Sequence, residues 1–180
     1  MPVSQPVSTD SRSLPVARLE LELRTTGVGQ LAIGVAGLVV ALTARDVSPA
    51  QGLVPFVIVM ALVGGLSHYA TRWIRSAETP SVSPSAQVEE RRLTLRRCVL
   101  GLTFALLAVA AATAVAGGLG AVLGGVVASV GAVDLLNLRW LRGREEETGR
   151  QILRELGRSP FAGGRRPLYT RPRNESTLAT

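Results

Sequence analysis

The chain has 180 residues, of which 20 are arginine and none lysine, against 13 acidic residues, for a formal net charge of +7. One histidine and one cysteine exclude a His/Cys metal cluster and an internal disulfide, and no glycine-rich loop followed by Lys-Ser or Lys-Thr is present to cradle a nucleotide. Hydrophobic residues make up 47% of the chain and gather into four long uncharged stretches, which a soluble domain of this size has no amphipathic helices left to cover.

In chain order, residues 1–15, rich in Pro, Ser and Thr, are expected to be disordered. VARLELELR then alternates apolar and charged residues at a strand period. A lone strand leading into a membrane helix has nothing to pair with, so an interfacial helix is expected there. The first apolar run follows Asp10, Glu20 and Glu22 and is longer than the roughly 7 to 15 residues of a signal-peptide core, so it reads as a retained anchor. It predicts a span over 25–44, and the next uncharged stretch, interrupted by Pro55, predicts a second over 51–70. Residues 71–97 form a connecting linker, of which 76–87, SAETPSVSPSAQ, reads as flexible. From Cys98 to Val133 no residue is charged, and this run divides at Gly117-Gly118-Leu119-Gly120 into spans over 98–116 and 119–138. Beyond them 143–158 is expected to be a short helix, with Ile152, Leu153 and Leu156 on one face and the pairs Glu146/Arg150 and Glu155/Arg158 at helical spacing. Residues 159–180 return to a disordered tail. The fold class is therefore an all-α integral membrane protein: four transmembrane helices as two hairpins, a short C-terminal cytoplasmic helix and disordered tails.

Threading the chain through four crossings leaves nineteen of the twenty arginines on one side and only Arg45 on the other. The positive-inside rule then predicts cytoplasmic termini and a cytoplasmic linker in a multi-pass cell-membrane protein. Trp73 and Trp140, beside Arg72 and Arg139, fall at that cytoplasmic boundary and are expected to be interface anchors. The all-arginine basic complement points to a GC-rich bacterial genome. The matching segments Arg72-Trp73-Ile74-Arg75 and Arg139-Trp140-Leu141-Arg142 suggest a repeat, yet identity around them is sparse, and Arg and Trp are what any cytoplasmic interface favours.

Few residues could carry chemistry. His68 and Asp134 lie at similar depth near the cytoplasmic ends of the second and fourth spans and form a candidate functional polar pair; the blander reading has both reaching the wet interface. No carboxylate lies at mid-membrane, which disfavours proton-driven transport. No catalytic residue, metal ligand or cofactor is assigned, and no enzymatic activity is expected. Gly120, Gly124, Ala128 and Ala132 recur every four residues, the spacing that lets helix backbones approach closely, beside a second stripe of Gly117, Ala121, Gly125 and Ser129. Packing within the chain's own hairpin is the expected use of these stripes, and Ala61 and Gly65 are expected to join the same core. The arginine-rich face suits the lipid bilayer, with anionic lipids among its contacts; scattered through linkers without an aromatic platform, it does not suit nucleic acid.

The segment from Leu95 to Arg142, LRRCVLGLTFALLAVAAATAVAGGLGAVLGGVVASVGAVDLLNLRWLR, resembles one hairpin of the small ATP synthase accessory proteins sometimes called protein I, in its glycine-rich helix ending with Asn-Leu before basic residues. The likeness covers about a quarter of the chain and includes no diagnostic motif, so no site is carried over. It implies an accessory role beside that complex. More generally, the expected function is non-enzymatic: a scaffold, assembly factor or accessory subunit acting through self-association or another membrane protein. The alternative is a small transporter or channel component whose pathway forms only in an oligomer, for which Thr103, Thr113 and Ser129 are the few weakly polar candidates.

Overall fold

The computed structural model describes residues 15–43, 48–77, 79–82, 86–156 and 167–172. Strand β1 (Pro15–Arg18) leads directly into α1 (Leu19–Thr43); α2 (Pro49–Ala70) and the single turn α3 (Trp73–Ser76) follow, then β2 (Gln87–Val88), α4 (Arg91–Val115), α5 (Gly117–Thr148), β3 (Arg150–Glu155) and β4 (Leu168–Pro172). Four helices are long and apolar enough to cross a membrane: α1, α2 continued through α3, α4 and α5. The expected tails 1–15 and 159–180 fall largely outside the described residues, as do Arg45 and Asp46.

Local signals account for the helix ends. At the start of α2 the Ser48 hydroxyl accepts from the Gln51 backbone N–H at 3.3 Å while the Gln51 side chain accepts from the Ser48 N–H at 3.0 Å, and Pro49 occupies a first-turn position where its missing N–H costs nothing. Thr71 closes α2, its hydroxyl donating to the Ser67 carbonyl at 2.8 Å. Gly149, at φ 63° in the left-handed region, ends α5 and turns the chain into β3.

α5 is the hub of the bundle. It runs antiparallel to α1, parallel to α2 and antiparallel to α4, and it touches all three, whereas α1 and α2 make little contact with each other. The four long helices form one bundle gathered around α5. Its seam with α1 is made of backbone. A Cβ on Gly34 would lie 2.6 Å from that of Ala128, one on Gly124 would lie 2.8 Å from the Gly34 carbonyl, and one on Gly131 would lie 2.7 Å from the Gly27 carbonyl. On the adjacent face Gly125 meets the Phe56 backbone of α2, and Gly120 meets Thr113 of α4. The small-residue stripes therefore pack internally, but against three helices rather than within the second hairpin alone; of the first stripe Gly120, Gly124 and Ala128 are buried and Ala132 is half-buried. Ala61 and Gly65 do not join this core: both are exposed on α2, with open space beyond Gly65.

The largest departure from expectation lies at the end where α1 and α4 begin and α2 and α5 finish. Residues 150–155 are a strand rather than part of a helix over 143–158, because Gly149 stops α5 at Thr148 and Ile152 and Leu153 become fully buried in a sheet. The sheet order is β2-β1-β3-β4, with β1 parallel to β2 and antiparallel to β3, and β3 antiparallel to β4. The strand period of VARLELELR is thus real over its first three residues, Val16 to Arg18, and their partners are segments expected to be a helix and a linker. The linker also reaches the far edge: Thr170 of β4 donates its N–H to the Pro80 carbonyl and accepts from the Val82 N–H, each at 2.9 Å. Both edges of the three longer strands are covered, which protects them from pairing with another chain. A core of Leu19, Leu23, Leu138, Leu141, Ile152 and Leu168 joins sheet to helices. At 32 residues α5 is about 48 Å long against roughly 30 Å of hydrocarbon, and its last turns are the post on which the sheet stands.

The two Arg-Trp segments adopt different local structures, a break and a single turn after α2 but unbroken helix in α5. Replacing Gly124 with Leu forces side-chain atoms into the α1 backbone and should destabilise the detergent-solubilised protein by about 1–3 kcal/mol or more. Gly65→Leu, at an open position, should leave the thermal midpoint unchanged; equal loss in both would refute the seam.

Candidate functional site

The charged residues of the described helices gather at the sheet end. Glu22, Thr26 and Gln30 follow one another at four-residue spacing on α1, which aligns them on one face. Glu22 is largely buried and lies between two guanidiniums, Arg154 of β3, to which it is hydrogen-bonded, and Arg97 of α4, 3.8 Å away. Arg97 is shared with Glu89, 3.4 Å away, and Glu89 also accepts from the Thr94 hydroxyl at 2.6 Å. Glu89 in turn donates its backbone N–H to the Val16 carbonyl of β1 at 2.7 Å. One cluster thereby ties α1, α4, β1 and β3 together.

A second set of contacts joins α5 to its neighbours. The Thr26 hydroxyl lies 2.9 Å from Asp134 Oδ2 and 2.8 Å from the Glu22 carbonyl; having one hydrogen, it donates fully to only one of them at a time. Asn137, fully buried, donates to Thr71 Oγ1 of the α2 cap at 3.2 Å. Buried Glu145 accepts the Ile152 backbone N–H at 2.7 Å, just past the last register pair between β1 and β3, Arg18 with Leu153. On the surface Glu20 pairs with Arg142 at 2.9 Å. In the sheet the Tyr169 hydroxyl donates to Glu155 at 3.3 Å, and desolvation, followed by the Glu155 charge, pushes the phenol pKa above its usual value.

The structure does not bring the sequence-derived pair together. Asp134 faces α1 through Thr26, whereas His68 contacts Arg75, its Nδ1 3.4 Å from Arg75 Nη2; no hydrogen bond or ion pair joins His68 to Asp134 among the described residues. Trp73 and Trp140 are half-buried and pack against the core between sheet and helices, so their rings serve tertiary packing beside any interfacial role. Arg72 is the N-cap of α3 and Arg139 is exposed on α5. Sequence reasoning passed over Glu22, Thr26, Gln30, Glu89, Thr94, Arg97 and Arg154. The i, i+4 spacing of the first three was the available signal; the others are assembled by long-range contacts.

These polar contacts at the sheet end tie the helices to the sheet. Their carboxylates are engaged by guanidiniums, hydroxyls and backbone N–H groups, and among the described residues no three of His, Cys, Asp and Glu group as metal ligands would. Cys98 is buried beside them. The chain matches no family model, no curated protein and no solved structure.

Glu22→Gln leaves Arg97 and Arg154 facing a neutral amide in a largely buried site and should cost about 1–3 kcal/mol, read as a lower unfolding midpoint in detergent. Glu20→Gln, whose pair with Arg142 is well exposed, should cost under about 1 kcal/mol. Equal effects would show that Glu22 is not the hub.

Proposed function

We propose that this chain is a multi-pass membrane protein, with the sheet end cytoplasmic, that acts by associating with other copies or other membrane proteins as a scaffold, assembly factor or accessory subunit. The observation that carries the membrane reading is inverted burial. Gly120, Ala121, Gly124, Gly125, Ala128 and Ser129 fill the interior, while Leu66 is 70% exposed, Phe104 66% and Val115 79%. In water large side chains would be buried and small ones exposed; in lipid, where apolar surface gains nothing from burial between helices, small residues at the contacts and large ones outside are the stable arrangement. The orientation is supported by the arginines, since all those among the described residues belong to the sheet or to the helix turns next to it.

Association is supported by small residues that the internal seam leaves unused. Ala61 and Gly65 form a small-xxx-small pair on the exposed face of α2, and Gly101 on α4 likewise has open space beyond it. A transport pathway through a single copy is disfavoured by the same seam. The polar stripe of α1 ends at Gln30, and at the next position, Gly34, the α1 and α5 backbones close on each other. An accessory role at an ATP synthase is what the resemblance of the second hairpin implies within this reading.

Three measurements test it. The protein should stay in the membrane pellet through alkaline carbonate and dissolve only in detergent. In a Cys98→Ala background, a membrane-impermeant maleimide added to intact cells should label Ala50→Cys and not Glu147→Cys; the reverse pattern would overturn the orientation. For association, Gly65→Leu should abolish the crosslinked species recovered from mild detergent without lowering the thermal midpoint, and an unchanged crosslinking pattern would reject α2 as the contact.

A further inference from the structure

The arginines at the sheet end differ in what they face. Arg97, Arg142 and Arg154 have carboxylate partners on the α1 side of the bundle. Beyond α5, towards α2 and α3, a groove of about 580 Å³ is lined by His68, Arg75, Arg139, Trp140, Arg144 and Glu147, among others. Three guanidiniums and an imidazole face it against a single carboxylate. No ion pair engages Arg75, Arg139 or Arg144 among the described residues, and Arg75 Nε is buried without a hydrogen-bond partner. In the contact with Arg75 the His68 Nδ1 accepts, which leaves Nε2 as a donor, so apart from Glu147 the charged and ring groups here are donors. Arg144 is held 5.5 Å over the Trp140 ring, which orients its guanidinium at the groove wall.

Cations gathered without carboxylates repel one another until an anion joins them, and planar guanidiniums match phosphate oxygens two at a time. The surroundings narrow the anion further. Leu136, 53% exposed, lines the groove from below, on the side towards the middle of the bundle. Through His68 and Arg75 the groove is continuous with a second one holding Tyr69 and Trp73, whose rings have apolar bodies and polar edges. Basic above, aromatic beside and aliphatic below is the sequence of chemistries in an anionic phospholipid. On the membrane reading given above, we propose that the α2–α5 groove is a binding site for an anionic phospholipid, whose phosphate is gripped by Arg75, Arg139 and Arg144 with a hydrogen bond from His68, and whose acyl chains run down over Leu136.

Native mass spectrometry of the detergent-purified full chain, titrated with phosphatidylglycerol or phosphatidylcholine, tests the site independently of whether the protein inserts. The wild type should retain phosphatidylglycerol at least about tenfold better, as two or more basic residues near a headgroup imply. R139Q/R144Q should lose that preference, while R92Q/R96Q, which removes the same charge from the exposed start of α4, should keep it. Should the double variant fail to fold, Arg139→Gln at its exposed position should show the same loss at smaller amplitude. Equal loss in both double variants would reduce the effect to net charge and overturn the site. So would the absence of any preference in a wild type that still requires detergent, an outcome that leaves the membrane reading standing. Displacement of the lipid by millimolar inorganic phosphate would identify a free-phosphate site instead and reject the lipid.

Discussion

The backbone contact between α1 and α5 is the constraint on which the rest of the molecule depends. Hydrogens stand where side chains would be at Gly27, Gly34, Gly124 and Gly131, so the two helices approach until carbonyl oxygens and α-carbons touch. At that distance many weak dispersion contacts accumulate along the seam, and in a lipid environment these, rather than removal of apolar area from water, hold helices together. The seam also fixes relative rotation. With Gly34 against Gly124, Thr26 must face Asp134, and Glu22 is carried to the place where Arg97 and Arg154 meet it. The polar contacts do not choose the register of the bundle; they are laid down by it.

The sheet turns this helical register into a closed structure. β1 continues into α1 without a connecting loop, and β3 follows α5 after one glycine, so the two strands inherit the antiparallel relation of their helices. β2 enters α4 in the same way after two residues, and the parallel β1 and β2 match the parallel α1 and α4. Three strands are thus extensions of three helices, paired because the helices are. β4 (Leu168–Pro172) is held between β3 and the linker at Pro80–Val82. This explains why Glu22 and Glu89 sit at the junction: they lie within a turn of where strand becomes helix, and tie adjacent strand–helix units together through Arg97 and Arg154.

This arrangement also explains what could be read from the sequence and what could not. The four helices were legible because uncharged length near twenty residues is a local property; their boundaries were drawn short because α1, α4 and α5 continue beyond the apolar stretch as charged helix. The stripe at Gly120, Gly124 and Ala128 was legible as a packing surface, while its partners, Gly34 on α1 above all, were not, since spacing within one helix carries no information about the next. The sheet was missed for a definite reason. VARLELELR showed a strand period and was set aside for want of a partner, while that partner, RQILRE, showed enough helical charge spacing to be read as helix. Each strand is weak alone and is formed by the other, some 140 residues away in the chain, once the α1–α5 seam brings them together. His68 and Asp134 were paired on depth alone, and depth does not distinguish the α1 face of α5 from the α2 face.

That distinction between the faces of α5 bears most directly on function. Towards α1 the helix is sealed by backbone contact, and the arginines above the seam are engaged by Glu20, Glu22 and Glu89. Towards α2 it makes looser contact, and among the described residues the arginines above that side have no ion-pair partner, Glu147 being the one carboxylate that lines the groove. A protein that needed its charge only to set orientation could have scattered it evenly, since the positive-inside rule counts residues and is indifferent to their neighbours. The partition into a cluster paired with several carboxylates and a groove lined by a single one separates two roles within one basic end of the molecule. The paired arginines close the sheet on the bundle, and the unpaired ones leave a donor-rich surface beside exposed α2, the same helix whose Ala61 and Gly65 are free to meet another helix. Lipid bound in the groove and a helix bound along α2 would therefore be neighbours, and the occupancy of either would alter the surface offered to the other.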